Sequence, residues 1–143
     1  MSVRDHEGPD FLDTNVIVYA YDESYPEKQR IAQDLVDRAL AGEFVISTQV
    51  LAEFAATLLQ KFVPAIAPQD IITILDSLGP IRTVLPDADI VRRAVQVRTE
   101  YGIQFYDGMI IAAAERAGCT QIWSEDLNPG QRYFGVNVAN PFK

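Results

Sequence analysis

Four acidic residues, Asp13, Glu53, Asp107 and Asp126, stand where a carboxylate is hard to explain as surface decoration. Asp13 interrupts the apolar, β-branched run FLDTNVIV, and aspartate is a poor strand former. Glu53 is surrounded by Val50, Leu51, Ala52, Phe54 and Ala55, and a lone buried carboxylate is costly. Asp107 opens the alanine-rich run from Tyr106 to Ala117, and Asp126 follows the apolar run from Thr120 to Ser124, next to Glu125. If such groups converge, they repel one another and raise one another's pKa. A hard divalent cation, Mg²⁺ or Mn²⁺, takes oxygen ligands and removes that penalty. It also acidifies water and clamps phosphate oxygens during in-line attack. The chemistry these residues suit is metal-assisted hydrolysis of a phosphate ester.

Each acid also has an ordinary role open to it. Asp107 would serve as a helix cap or dipole partner, Asp126 as a turn former, Glu53 as the polar face of a helix and Asp13 as a cap. Other chemistries find less support. His6 is the only histidine and lies near the N-terminus, which disfavours a Ser-His-Asp or Cys-His triad. No GxxxxGKS, GxxxxGKT or GxGxxG loop is present to cradle a nucleotide. An Asp-nucleophile phosphatase would want a second acid two residues after the first, where Asn15 stands.

The elements that must position these acids are short. Phe11-Leu12 ends a strand, and Val16 to Tyr21 either continues it or turns into a helix. Pro26 suits the first position of a helix that Gly42 terminates. Phe44 to Ile46 is a strand, and Ser47 or Thr48 caps the helix after it. Pro64 and Pro68 bracket a break before a helix over Gln69 to Leu78. Ile81 to Leu85 is a strand, Asp87 or Asp89 opens a helix that Gly102 ends, and Val136 to Val138 is a last strand. Strands alternating with helices predict one α/β domain with a mostly parallel sheet and helices on both faces. Ligands of such sheets lie beyond the carboxyl ends of the strands, and all four acids map to that rim.

Composition adds a tension. Twelve Lys and Arg face 20 Asp and Glu in 143 residues, a net charge of −8, whereas a nucleic-acid binder normally carries a basic footprint. Bound metal would offset part of the excess. Arg82, Arg92, Arg93, Arg98, Lys61 and Arg132 are the residues available for a local basic rim. Residues 1–10 read as a loose lead-in without a secretory signal, no run is long enough to span a bilayer, and the single Cys119 fits a reducing compartment. A cytoplasmic protein is expected.

Four segments, in order, carry a resemblance: FLDTNVIVYAYD, STQVLAEF, FYDGMIIAAAERAGC and IWSEDLNPGQ. Together the chain resembles a PIN-domain protein over residues 11–143, and within that superfamily the VapC-type toxins of toxin–antitoxin pairs. The resemblance implies a Mg²⁺- or Mn²⁺-dependent endoribonuclease held by Asp13, Glu53, Asp107 and Asp126, with Glu125 the less favoured substitute for Asp126. It implies that Thr14 and Asn15 support Asp13, and that the hydroxyls of Ser47 and Thr48 contact the metal-bound acids or a phosphate. It also implies an RNA substrate, a cognate antitoxin whose C-terminal segment occupies the site, and a homodimer. Gly108 replaces the family's usual Ala; at a helix start, little effect is expected. Tyr106, beside Asp107, is the aromatic residue retained as a substrate contact. The readings from other classes are a PIN-like module that binds RNA or protein without cutting, and a DNA-directed flap nuclease, for which the chain is short.

Overall fold

The computed structural model describes residues 8–143. Most of the expected lead-in, and His6, lie outside them; the first strand starts at Asp10, inside the stretch assigned to the lead-in. The elements run β1 (Asp10–Leu12), α1 (Thr14–Tyr19), α2 (Pro26–Leu40), β2 (Phe44–Ser47), α3 (Thr48–Lys61), α4 (Pro68–Ser77), β3 (Arg82–Val84), α5 (Ala88–Tyr101), α6 (Phe105–Arg116), β4 (Gln121–Trp123), β5 (Arg132–Tyr133) and β6 (Val136–Ala139). The sheet order is β3-β2-β1-β4-β6-β5, parallel except for β5, with helices on both faces. No helix among the described residues is long and apolar enough to cross a membrane.

Local chemistry explains the boundaries. Pro26 starts α2, where its missing N–H costs nothing. The Ser47 hydroxyl accepts from the Val50 N–H at the start of α3, and the Asp87 carboxylate accepts from the Ile90 N–H at the start of α5. Gly102 ends α5 at φ +71°, a left-handed conformation that costs glycine little. The stretch read as either strand or helix after Asp13 is helical. Asp13 caps it, and Val16 and Ile17 bury themselves in the core despite their β-branched preference for strands. The two-residue strand β5 went unread because it is too short to show a period.

Strands β1 and β2 are neighbours inside the sheet and buried throughout, which is why both read as continuous apolar runs. The alanine-rich α6 buries Ile110, Ile111, Ala112, Ala113 and Ala114. The expectation for Gly108 needs correction. A Cβ there would lie 2.9 Å from the Ala94 carbonyl oxygen of α5. Glycine therefore permits the close approach of α5 to the first turn of α6, the turn that carries Asp107.

Candidate active site

Strands β1 and β4 are parallel neighbours, so the residues leaving their carboxyl ends meet. The Asp13 N–H continues the ladder by donating to the Trp123 carbonyl at 3.0 Å. The Asp13 side chain is only 7% exposed. Its Oδ1 accepts from the Thr14 N–H at 2.8 Å, the cap of α1. Its Oδ2 accepts from the Ser124 hydroxyl at 2.8 Å and from the Asn15 amide at 3.3 Å. The capping role and a place in the cavity thus coexist in one side chain.

Asn15 joins the two strand ends. Its Nδ2 donates to Ser124 Oγ at 3.1 Å, and its Oδ1 accepts from the Glu125 N–H at 3.0 Å. Ser124, fully buried, also receives the N–H groups of Asp126 and Leu127, both at 3.2 Å. One hydroxyl therefore orients Asp13 and folds the loop that carries Asp126.

Glu53 lies in α3, on the strand-end side, with both oxygens occupied. The Thr14 hydroxyl donates to Oε1 at 2.7 Å, and the Gln49 amide donates to Oε2 at 3.0 Å. The same amide donates to the Tyr106 carbonyl at 2.9 Å, which ties Glu53 to the start of α6. Asp107 stands in the first turn of α6, but it is not the cap: Gln104 accepts its N–H at 3.1 Å. The Asp107 carboxylate is left for the cavity.

A cavity of about 650 Å³ has Asp13, Glu53, Asp107 and Asp126 in its lining, with Thr14 and Asn15. None of the four acids forms an ion pair among the described residues. Burial, reinforced by the charges of Glu53 and Asp107, pushes the Asp13 carboxyl up to about 6 against the bonds from Ser124 and Thr14. Burial, then Glu53 and Asp126, also raises Asp107. The charges of the group thus act on one another.

Glu125 has a different setting. Burial alone would raise its carboxyl, but the Lys28 ammonium at 2.5 Å and the Tyr19 hydroxyl at 2.7 Å hold it below the usual range. The Lys28 nitrogen also sits 4.8 Å from the Tyr19 ring centre. Of the adjacent acids at the end of β4, Glu125 is committed to Lys28, and Asp126 has no cation partner.

Ser47 and Thr48, expected near the acids, are placed elsewhere. Ser47 is buried with its hydroxyl on the Val50 N–H, and the Thr48 hydroxyl donates to the Val84 carbonyl at 3.4 Å on the outside. Both are used by the β2–α3 junction. The Tyr106 side chain is 56% exposed and packs edge-on to Phe105, outside the cavity lining. The sequence reading missed Ser124 and Gln49. For Ser124 the available signal was a small hydroxyl residue between a strand and two acids; for Gln49, its place one helical turn before Glu53.

The expected basic rim is also dispersed. Arg92 pairs with Asp89 and Arg93 with Glu115, while Arg98 and Arg132 bond backbone carbonyls. Of the six residues named for it, only Lys61 lines the cavity.

The donor set suits a hard cation: four carboxylates, two of them raised by burial and mutual charge, with no cation of the protein beside them. Among the described residues, no group of three or more metal-ligating side chains is arranged to hold an ion directly.

Solved structures of similar fold agree with this architecture. The chain is similar to a toxin–antitoxin complex from Klebsiella pneumoniae, at 17% identity and a TM-score of 0.69 over 92% of this chain and 97% of the other. It is similar to DNA-bound VapBC from Salmonella typhimurium, at 17% identity and a TM-score of 0.67 over 94% and 99%. It is also similar to VapC20 of Mycobacterium tuberculosis, a sarcin–ricin loop cleaving toxin, at 15% identity and a TM-score of 0.59 over 82% and 92%. None of the curated proteins matches. The PIN domain model matches residues 11–133, nearly the whole of the described chain, and the chain belongs to the PIN domain family.

Proposed function

We propose that this PIN domain is an endoribonuclease dependent on Mg²⁺ or Mn²⁺, and the toxin of a toxin–antitoxin pair. One observation carries the reading: carboxylates from four separate segments line one cavity at the carboxyl ends of parallel strands, without a protein cation on any of them. The toxin–antitoxin complexes of similar fold support the biological setting. In this reading Asp13, Glu53, Asp107 and Asp126 are the residues that would hold the ion. When bound, the ion neutralises these charges and polarises the phosphodiester.

The chain's own residues supply the rest. Ser124 and Asn15 fix the Asp13 carboxylate, and Thr14 and Gln49 fix Glu53, so little reorganisation is needed when phosphate arrives. A carboxylate of the group takes the proton of the attacking water as its oxygen bonds phosphorus, the P–O3′ bond breaks, and the departing oxygen takes a proton from solvent, leaving a 5′-phosphate and a 3′-hydroxyl. The partners in this reading are an RNA strand, an antitoxin whose C-terminal segment covers the cavity, and a second copy of the chain, all in the cytoplasm.

A second reading, a PIN-fold module that binds RNA or protein without cutting, draws on the absence of any three-ligand group among the described residues. One experiment separates the two. A mixed RNA pool is incubated with purified, antitoxin-free protein and Mg²⁺ or Mn²⁺, beside Asp107→Asn. The ribonuclease reading expects metal-dependent cleavage, reduced in the variant on the order of 10³-fold, as when a preorganised electrostatic group is removed. Intact RNA after incubation with well-folded protein would favour the binding module.

A further inference from the structure

Cations near the cavity are few, and their positions differ in kind. Lys28 is committed to Glu125 and Tyr19. Arg30, Arg38, Arg92, Arg93 and Arg116 each hold an acid. Among the described residues Lys61 is the only Lys or Arg in the cavity lining, and it forms no ion pair; Lys143 acts on Glu125 from outside the lining.

Lys61 is the last residue of α3, the helix that carries Glu53. Glu53, Thr57 and Lys61 follow at intervals of four residues and all line the cavity, so they form one stripe along its wall. Eight residues of helix rise about 12 Å. Across that separation Lys61 makes no ion pair with Glu53 among the described residues. The distance suits a phosphate farther along the same strand. The Thr57 hydroxyl between them is turned to the Glu53 carbonyl at 2.8 Å, so it does not compete for that anion. Phe62 follows Lys61 in the lining and packs half-buried against the core, which anchors this end of the wall.

We infer that Lys61 forms a phosphate subsite at the α3 end of the cavity, binding a backbone phosphate remote from the cleaved bond and directing the single strand along α3. The inference rests on the ribonuclease reading. It explains how so acidic a chain takes hold of RNA: the acids carry the metal, and one free ammonium at a distance supplies attraction that their field does not cancel locally. Because the contact is remote from the reacting atoms, it contributes equally to ground state and transition state, and so changes KM rather than kcat. A helix C-terminus also favours a lysine through its dipole; that role would affect stability alone.

The test compares Lys61→Gln, Lys61→Glu and Lys61→Arg with the wild type. Cleavage of a single-stranded RNA is followed over substrate concentration. Binding of the same labelled RNA to the Asp107→Asn protein, with and without Lys61→Gln, is followed by anisotropy over a salt series. Lys61→Gln should raise KM about tenfold with kcat unchanged, Lys61→Glu should raise it further, and Lys61→Arg should stay near wild type. Loss of one phosphate contact should also flatten the slope of log K against log salt by about 0.7. Wild-type KM and salt slope in Lys61→Gln, whether or not its melting temperature falls, would overturn the subsite while leaving the ribonuclease standing. A fall in kcat at constant KM would overturn it too. If the wild type neither cleaves nor binds RNA, the ribonuclease reading fails first and the subsite with it.

Discussion

On and beside the outer helices Asp87 meets Arg116 at 2.9 Å, Glu115 meets Arg93 at 2.8 Å and Glu43 meets Arg38 at 3.2 Å. In the cavity, Asp13, Glu53, Asp107 and Asp126 have no such partner among the described residues. The consequences run in opposite directions. The Arg116 guanidinium, with the Ile90 N–H, holds Asp87 down to about 2. Burial and like charge push Asp13 up to about 6. The same residue type is thus a favourable ion-pair partner in one region and an electrostatic burden in the other. Paired acids fasten elements together; unpaired ones gathered in a cavity repel one another.

The contrast is broken most directly at Asp13. Its folded pKa of about 6 lies above the ordinary 3.8, so the native state holds the extra proton between those values. Stability from this group is therefore greatest below about pH 4, falls as the pH rises toward 6 and levels off above. The ionised side chain costs at most about 3 kcal/mol in metal-free protein. Asp13→Asn should be more stable than wild type in EDTA at pH 7, by up to that amount, and the gain should vanish at pH 4. Urea melts at the two values measure it. A variant less stable at pH 7 would mean that the bonds from Thr14, Ser124 and Asn15 outweigh the charge.

Ser124→Ala sharpens the comparison by loosening the cavity without changing its charge. Cleavage or metal affinity should fall about 10- to 100-fold, the usual effect of removing a group that orients a metal ligand. Mn²⁺ titration by calorimetry separates the affinity loss from a rate loss. An unchanged affinity and rate would show that Asn15 alone suffices to hold Asp13.

The smallest effect belongs to the paired region. Glu115→Gln removes one partner of Arg93, which keeps Gln96 and the face of Phe134 at 3.9 Å. The loss should be about 0.2–1 kcal/mol with cleavage unchanged. A variant that loses cleavage would show that the outer ion pairs and the cavity are not independent.

What the sequence disclosed follows from the range of each cue. The strand ends and the acids after them were readable because buried parallel strands are unbroken apolar runs, and a carboxylate at such a boundary has few ordinary explanations. Pro26 and Gly102 mark their elements through the backbone alone. The basic rim failed for the converse reason: Arg92 and Arg93 lie beside each other in sequence, yet their partners, Asp89 and Glu115, follow from helix geometry and from α5–α6 packing. Ser47 and Thr48 were misplaced because a hydroxyl at a strand end serves a helix cap as readily as a ligand. Gly108 looked neutral because its constraint comes from a carbonyl 14 residues earlier in the chain, on another helix. Ser124 and Gln49 each combine a local bond, to the Asp126 and Leu127 N–H groups and to Glu53, with one to a residue distant in sequence, Asp13 and Tyr106, and only the local half leaves a trace in the sequence.

The place of β1 in the sheet has a consequence for how the molecule is born. Its neighbours are β2, which is synthesised soon after it, and β4, whose pairing waits for the register of Phe11 with Ile122. Until about 120 residues have left the ribosome, one edge of β1 is open, and Ser124 and Asp126 do not yet exist. Such distant pairing is slow and comes late in folding. The cavity can therefore close only after β4 and the residues that follow it have emerged, and a chain released before then carries Asp13 without Ser124 to orient it. A nascent or truncated copy of this domain lacks part of the cavity, while its unpaired strand edge is an invitation to aggregation or proteolysis.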